Sequence, residues 1–229
     1  IIHNITNEPL KEKYRADLKD FFSILKGSQK YLRFVFITGI SRFTRVSIFS
    51  DLNNLIDLTF RADYAAVAGY TGEELLHRFG TYIQTFAEKE NCPNETILAL
   101  IKKWYNGYSW DGETRIYNPY SILKLFLDFR FDNYWYASGT PTFLIDLIRE
   151  NKTQISEFND FQVTRSKIEN LEESRFSIIP LLFQTGYLTI AQTIKKDIDQ
   201  EDLLVDYPNL DVRKSSLTHL PEYFNRENP

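Results

Sequence analysis

Apolar positions along the chain alternate between helical and extended patterns. Leu10, Tyr14, Leu18, Phe21, Phe22 and Leu25 recur at spacings of three and four, the period of a helix that buries one stripe. Pro9 stands where a first-turn proline is tolerated and Gly27 where a terminating glycine belongs, so the pattern predicts a helix over 8–26. The run Leu32-Arg33-Phe34-Val35-Phe36-Ile37-Thr38-Gly39 is nearly unbroken in apolar, β-branched and aromatic residues, which predicts a strand covered on both faces, as in a parallel α/β sheet. Leu55 to Phe60 reads as a further short strand.

From Tyr64 onward the pattern is mainly helical. Thr71-Gly72-Glu73-Glu74 is a capping box, and Leu75, Leu76, Phe79, Ile83 and Phe86 give the helix after it a buried face. A helix over 94–105 carries Ile97, Leu100, Ile101, Trp104 and Tyr105 and stops at Asn106-Gly107. Asp111-Gly112 supplies the residue types of a tight two-residue hairpin turn between 108–110 and 115–117. Asn118-Pro119 opens a helix through about Leu127, with Asn118 as its cap, and Thr140-Pro141 repeats the device before an apolar run at 143–148. The segment 151–177 is polar and linker-like, with a short strand pattern at 161–164. A helix is expected at 178–183, and strands at 187–190 and 203–205 pair across an acidic 197–202. Helices followed by a hairpin predict a winged-helix-like lobe.

Composition narrows the classes. Hydrophobic residues make up 43% and charged residues 25% of the 229 positions, so the chain can bury a core. Lysine and arginine number 27 against 31 acidic residues, a net charge of −4 that argues against a generally basic protein coating nucleic acid; DNA as a partner would have to rest on a local patch. Cys92 is the only cysteine, which excludes an intramolecular disulfide or a zinc–cysteine cluster and makes the cytoplasm the expected location. No apolar run approaches the roughly 18 residues of a membrane span and no signal pattern opens the chain, so a soluble protein with no membrane partner is expected. With no methionine anywhere, the sequence reads as an internal piece of a longer protein.

Candidate chemistry is sparse. None of the nine glycines stands in a phosphate-cradling G-x-x-x-x-G-K-[ST] or G-x-G-x-x-G frame. His3, His77 and His219 are too scattered to suggest a metal site, and the pairs Glu73/Glu74 and Glu172/Glu173 read as capping and solvation. Trp104, Tyr105, Tyr108, Trp110, Tyr117, Tyr134, Trp135 and Tyr136 fit core packing better than base stacking, with Lys102, Lys103 and Arg115 a small basic group beside them. The most specific feature follows the first strand pattern, where Thr38, Gly39, Ser41 and Arg42 stand at its carboxyl end. That rim is where open α/β sheets bind ligands, although threonine and serine there also satisfy turn backbone.

The string from Phe34 to Arg42, then Val46 to Leu55 and Ala68-Gly69-Tyr70-Thr71, resembles the predicted AAA-type ATPase family of bacteria. Lys103 to Tyr108, Tyr117 to Ser121, Tyr134-Trp135, Gly139 to Leu144 and Leu182 to Thr189 are similar to it in order and spacing. The resemblance implies an α/β fold: an incomplete P-loop ATPase core over 1–63, a helical lid region over 64–150 and a winged-helix-like lobe over 151–229. It also implies that the P-loop and Walker-B strand precede this sequence, and that ATP and Mg²⁺ are the cofactors. Thr38 and Arg42 then take the sensor-1 catalytic positions, with Gly39 and Ser41 at the nucleotide. Family members often carry lysine where Arg42 stands, and either cation suits a γ-phosphate. A PD-(D/E)xK nuclease-like domain and a homo-oligomer are the implied partners. The alternative function is a non-catalytic DNA- or protein-binding winged-helix module with a degenerate ATPase core.

Overall fold

The first helix forms where its stripe predicts. In the computed structural model, which describes residues 7–39, 55–137, 161–169, 178–197 and 200–225, α1 spans Glu8–Gly27. Asn7 caps it by accepting from the Leu10 N–H at 3.0 Å, and Ser28, one residue past Gly27, takes the C-cap. None of its residues is buried. After a 3₁₀ turn at Gln29–Tyr31, the apolar ribbon 32–39 runs without regular structure and joins no sheet among the described residues. The expected interior strand is therefore not seen. β-branched and aromatic residues favour an extended chain, but a strand also needs a neighbour to complete its hydrogen bonds, and no described segment supplies one here. Leu55 to Phe60 likewise forms no strand; it ends in a turn that lets Phe60 stack on Phe183, ring centroids 5.7 Å apart and planes 4° from parallel.

The helical part follows its caps. α2, Gly72–Glu90, starts at the full capping box: Thr71 accepts from the Glu74 N–H while Glu74 accepts from the Thr71 N–H at 2.9 Å. It ends at Asn91, which takes the left-handed conformation at φ 50°. α3, Asn94–Tyr105, leads into β1, Asn106–Tyr108, which pairs antiparallel with β2, Ile116–Tyr117. α4, Pro119–Asp128, begins with Asn118 accepting from the Ser121 N–H, and the short α5 covers Tyr134–Ala137. Leu75, Ile83, Phe86, Ile97, Ile101, Tyr105, Ile122 and Leu125 form one core between these helices. Its aromatic rim includes Phe86 and Phe131, stacked at 5.3 Å.

A second core lies on a three-stranded antiparallel sheet. β3, Phe161–Thr164, and β4, Thr189–Lys195, flank β5, Glu201–Asp206. The helices α6, Arg165–Glu169, and α7, Ile179–Gln184, pack Ile168, Leu182 and Phe183 against Leu188, Ile190, Leu203 and Val205. Part of the expected linker is thus built structure, because β3 and α6 bury Val163 and Ile168. The sheets among the described residues are antiparallel, which fits the broad class of mixed helix and sheet rather than the parallel sheet expected of the ribbon.

The last helix, α8, Leu210–Asn225, has no counterpart in the sequence reading. It packs on α3 and α5, and its Val212 joins Tyr108 and Ile116 in a small third cluster between the two cores. The helix expected after Thr140-Pro141 lies outside the described residues. Among the described residues no helix is long and apolar enough to cross a membrane.

Candidate functional site

Of the four residues singled out from sequence, the structure describes two. Thr38 and Gly39 are exposed on the unpaired ribbon, whose Phe34 and Phe36 are 79% and 56% exposed and stack on each other at 6.2 Å. Ser41 and Arg42 lie outside the described residues. A shallow groove of about 330 Å³ runs between the end of α1 and the ribbon, lined by Leu25, Leu32, Phe34, Val35 and Leu55 among others, and it stops short of Thr38. One hydroxyl and one glycine N–H on a solvated segment do not make a phosphate cradle, which needs several donors and a cation converging on one point. The described residues do not by themselves fit a nucleotide with Mg²⁺. Nor do they gather three or more His, Cys, Asp or Glu side chains into a group able to hold a metal ion.

Polar side chains do converge at two junctions that the sequence reading missed. The first is the loop 109–115. The expected two-residue turn gives way to a wider connection in which Gly112 alone of the pair has positive φ, +86°. The Asp111 carboxylate is the reason: it accepts from the backbone of Glu113 and Thr114 at 3.0 and 2.8 Å and from the hydroxyls of Thr114 and Ser109 at 2.7 and 3.1 Å. Burial acts to raise its pKa, but these donors outweigh it and hold the group below the usual carboxylate range. The loop grips β4. Ser109 N–H donates to Thr189 Oγ1 at 2.7 Å, and that hydroxyl donates back to the Ser109 carbonyl at 2.9 Å. Arg115 donates to the Ile190 and Ala191 carbonyls and, at longer range, to those of Gly107 and Gly112. Burial lowers the Arg115 pKa while nearby Asp111 works against that shift.

The second junction is Asp211, only 1% exposed in the first turn of α8. Ser121 Oγ of α4 donates to its Oδ2 at 2.9 Å, and the Trp135 N–H of α5 donates to both oxygens at 3.2 and 3.0 Å. Burial pushes its pKa up to about 6, partly offset by Ser121 and Trp135 and reinforced by the charge on Asp132. The readable signal was the helix start itself: Asn209 accepts from the Val212 N–H at 3.0 Å, as an N-cap does. Both junctions fasten elements together; neither opens onto a cleft with a nucleophile and its base.

The first residues are similar to a known family. Residues 1–49 match the model of a family described as predicted AAA-ATPase, and the matched span contains Thr38, Gly39, Ser41 and Arg42. The match makes those 49 residues similar to an AAA-ATPase-like family. Over 227 residues the chain is 35% identical to an uncharacterized protein in the vnfD 5′ region of Azotobacter chroococcum mcd 1. That alignment covers 97% of this chain and 42% of the relative, so the chain spans less than half the relative's length. No solved structure matches.

Proposed function

We propose that this chain is the rear part of an AAA-type ATPase, in which Thr38 to Arg42 form the sensor-1 segment at the end of a core strand. In this reading Arg42 faces the γ-phosphate and stabilises the charge that develops there, and Thr38 orients water or phosphate. Gly39 lets the backbone approach the nucleotide, Ser41 stands beside it, and Mg²⁺ accompanies the ATP. The helices from α2 to α5 serve as the lid, and α6, α7 and the β4–β5 hairpin as a winged-helix-like lobe. Together they couple nucleotide state to a partner, a nuclease-like domain or a second subunit.

The observation that carries the reading is the family match over residues 1–49, which spans all four site residues. The test is ATP turnover by the full-length protein. Arg42→Ala is expected to lower kcat by 10²-fold or more, the scale of losing a charge-stabilising group, while leaving the fold intact by circular dichroism. Unchanged turnover removes the catalytic role of Arg42, and no turnover by the wild-type protein favours the module with a degenerate core.

A further inference from the structure

Asp211 ties three helices together without a counter-charge. Its oxygens take hydrogen bonds from Ser121 in α4 and from the Trp135 backbone in α5, and Ser215, one turn along α8, faces the same carboxylate. Among the described residues no lysine or arginine forms an ion pair with it. The charged neighbour that bears on it is Asp132, of the same sign and itself paired with Arg130 at 2.7 Å. From α3 and β1 it meets the phenols of Tyr105 and Tyr108, whose own ionisation is pushed far upward by burial and by this carboxylate. On α8 itself, Lys214 lies over the Trp104 ring at 4.3 Å and Arg213 acts on Tyr207. A buried charge with donors but no cation is costly, because hydrogen bonds replace only part of the lost hydration.

We propose that Asp211 makes the seating of α8 on α4 and α5 proton-dependent, tight when the carboxylate carries a proton and loosened when it ionises. The direction follows from linkage. An aspartate in the unfolded chain releases its proton near pH 3.9, whereas burial holds the native group's proton to about pH 6. Between those values the folded state binds the proton more tightly. The stabilisation is complete below about pH 4 and is lost as pH rises through about 6. The consequence is local. α8 is the helix that carries the carboxylate, so it is the element whose release relieves the buried charge.

The experiment compares this chain with Asp211→Asn, which keeps the side-chain shape and removes the charge, by urea unfolding between pH 4.5 and 8 and by amide hydrogen exchange at the same pH values. Over that range this group is expected to raise the wild-type unfolding constant by roughly tenfold to a hundredfold. Asp211→Asn is expected to flatten that rise and to be the more stable protein at pH 8. Taking the difference between the two profiles cancels the histidines and every other titrating group. Parallel profiles overturn the proposal. Exchange corrected for intrinsic rate should accelerate with pH first in α8; acceleration shared evenly with α2 and α3 overturns it too. Should Asp211→Asn fail to fold, Asp132→Asn tests the same point, because removing the like charge must move the wild-type midpoint to lower pH. An unmoved midpoint counts against the proposal.

Discussion

At the residue scale, Gly107 shows how closely the two halves of the structure approach. Its φ of +125° is open to glycine, and a Cβ there would lie 1.9 Å from the Pro208 carbonyl oxygen in the turn before α8. Gly107→Ala is therefore expected to cost on the order of 3 kcal/mol, combining backbone strain with a clash that no side-chain rotation relieves. Its urea midpoint against wild type checks this. Asn106-Gly107 was legible in the sequence as a helix stop, but its contact with Pro208 was not, because the partner is about a hundred residues away. Thr38 and Gly39 teach the reverse. Their residue types stand out in sequence, yet the ribbon that carries them does not build a site from described residues.

At the scale of elements, local chemistry was readable wherever it is self-contained. Thr71 and Asn118 each cap the helix that their spacing predicts, because a cap needs only the next three residues. Thr71→Ala is expected to cost about 1 kcal/mol in thermal unfolding, because the Glu74 N–H loses the Thr71 hydroxyl as its acceptor while the Thr71 N–H keeps its bond to the Glu74 carboxylate. Strands and polar helices were harder to read. The ribbon 32–39 has strand composition but finds no partner among the described residues, and Asp111 turned a tight hairpin into a broader loop by drawing its donors inward. α8 escaped notice for another reason: among its described side chains the buried ones are Asp211, Val212, Ser215 and Ser216, three of them polar. Hydrophobic periodicity cannot reveal a helix that buries its polar side, and Asp211 was hidden with it.

At the scale of the molecule, the described residues divide into a packed body and an uncovered arm. α1 leaves Phe21 and Ile24 56% and 64% exposed, along with much of the ribbon, whereas both large cores lie beyond residue 74. Replacing Phe21 and Ile24 by glutamate should therefore change the stability of this chain by no more than about 0.5 kcal/mol, while light scattering at high concentration falls because the apolar stripe is broken. The loss of a cooperative melt in that variant would show that α1 packs on the body after all. The opposite management of exposed surface is seen at β4. Where its ladder to β5 is irregular, between Ile190 and Gln192, the guanidinium of Arg115 occupies the outward carbonyls of Ile190 and Ala191 and the Ser109 carbonyl receives the Ile190 N–H. At Ile190 and Ala191, edge groups that would otherwise recruit a stranger's backbone are already satisfied from within, so one side chain and its loop oppose growth of the sheet into fibrils at that end of the strand.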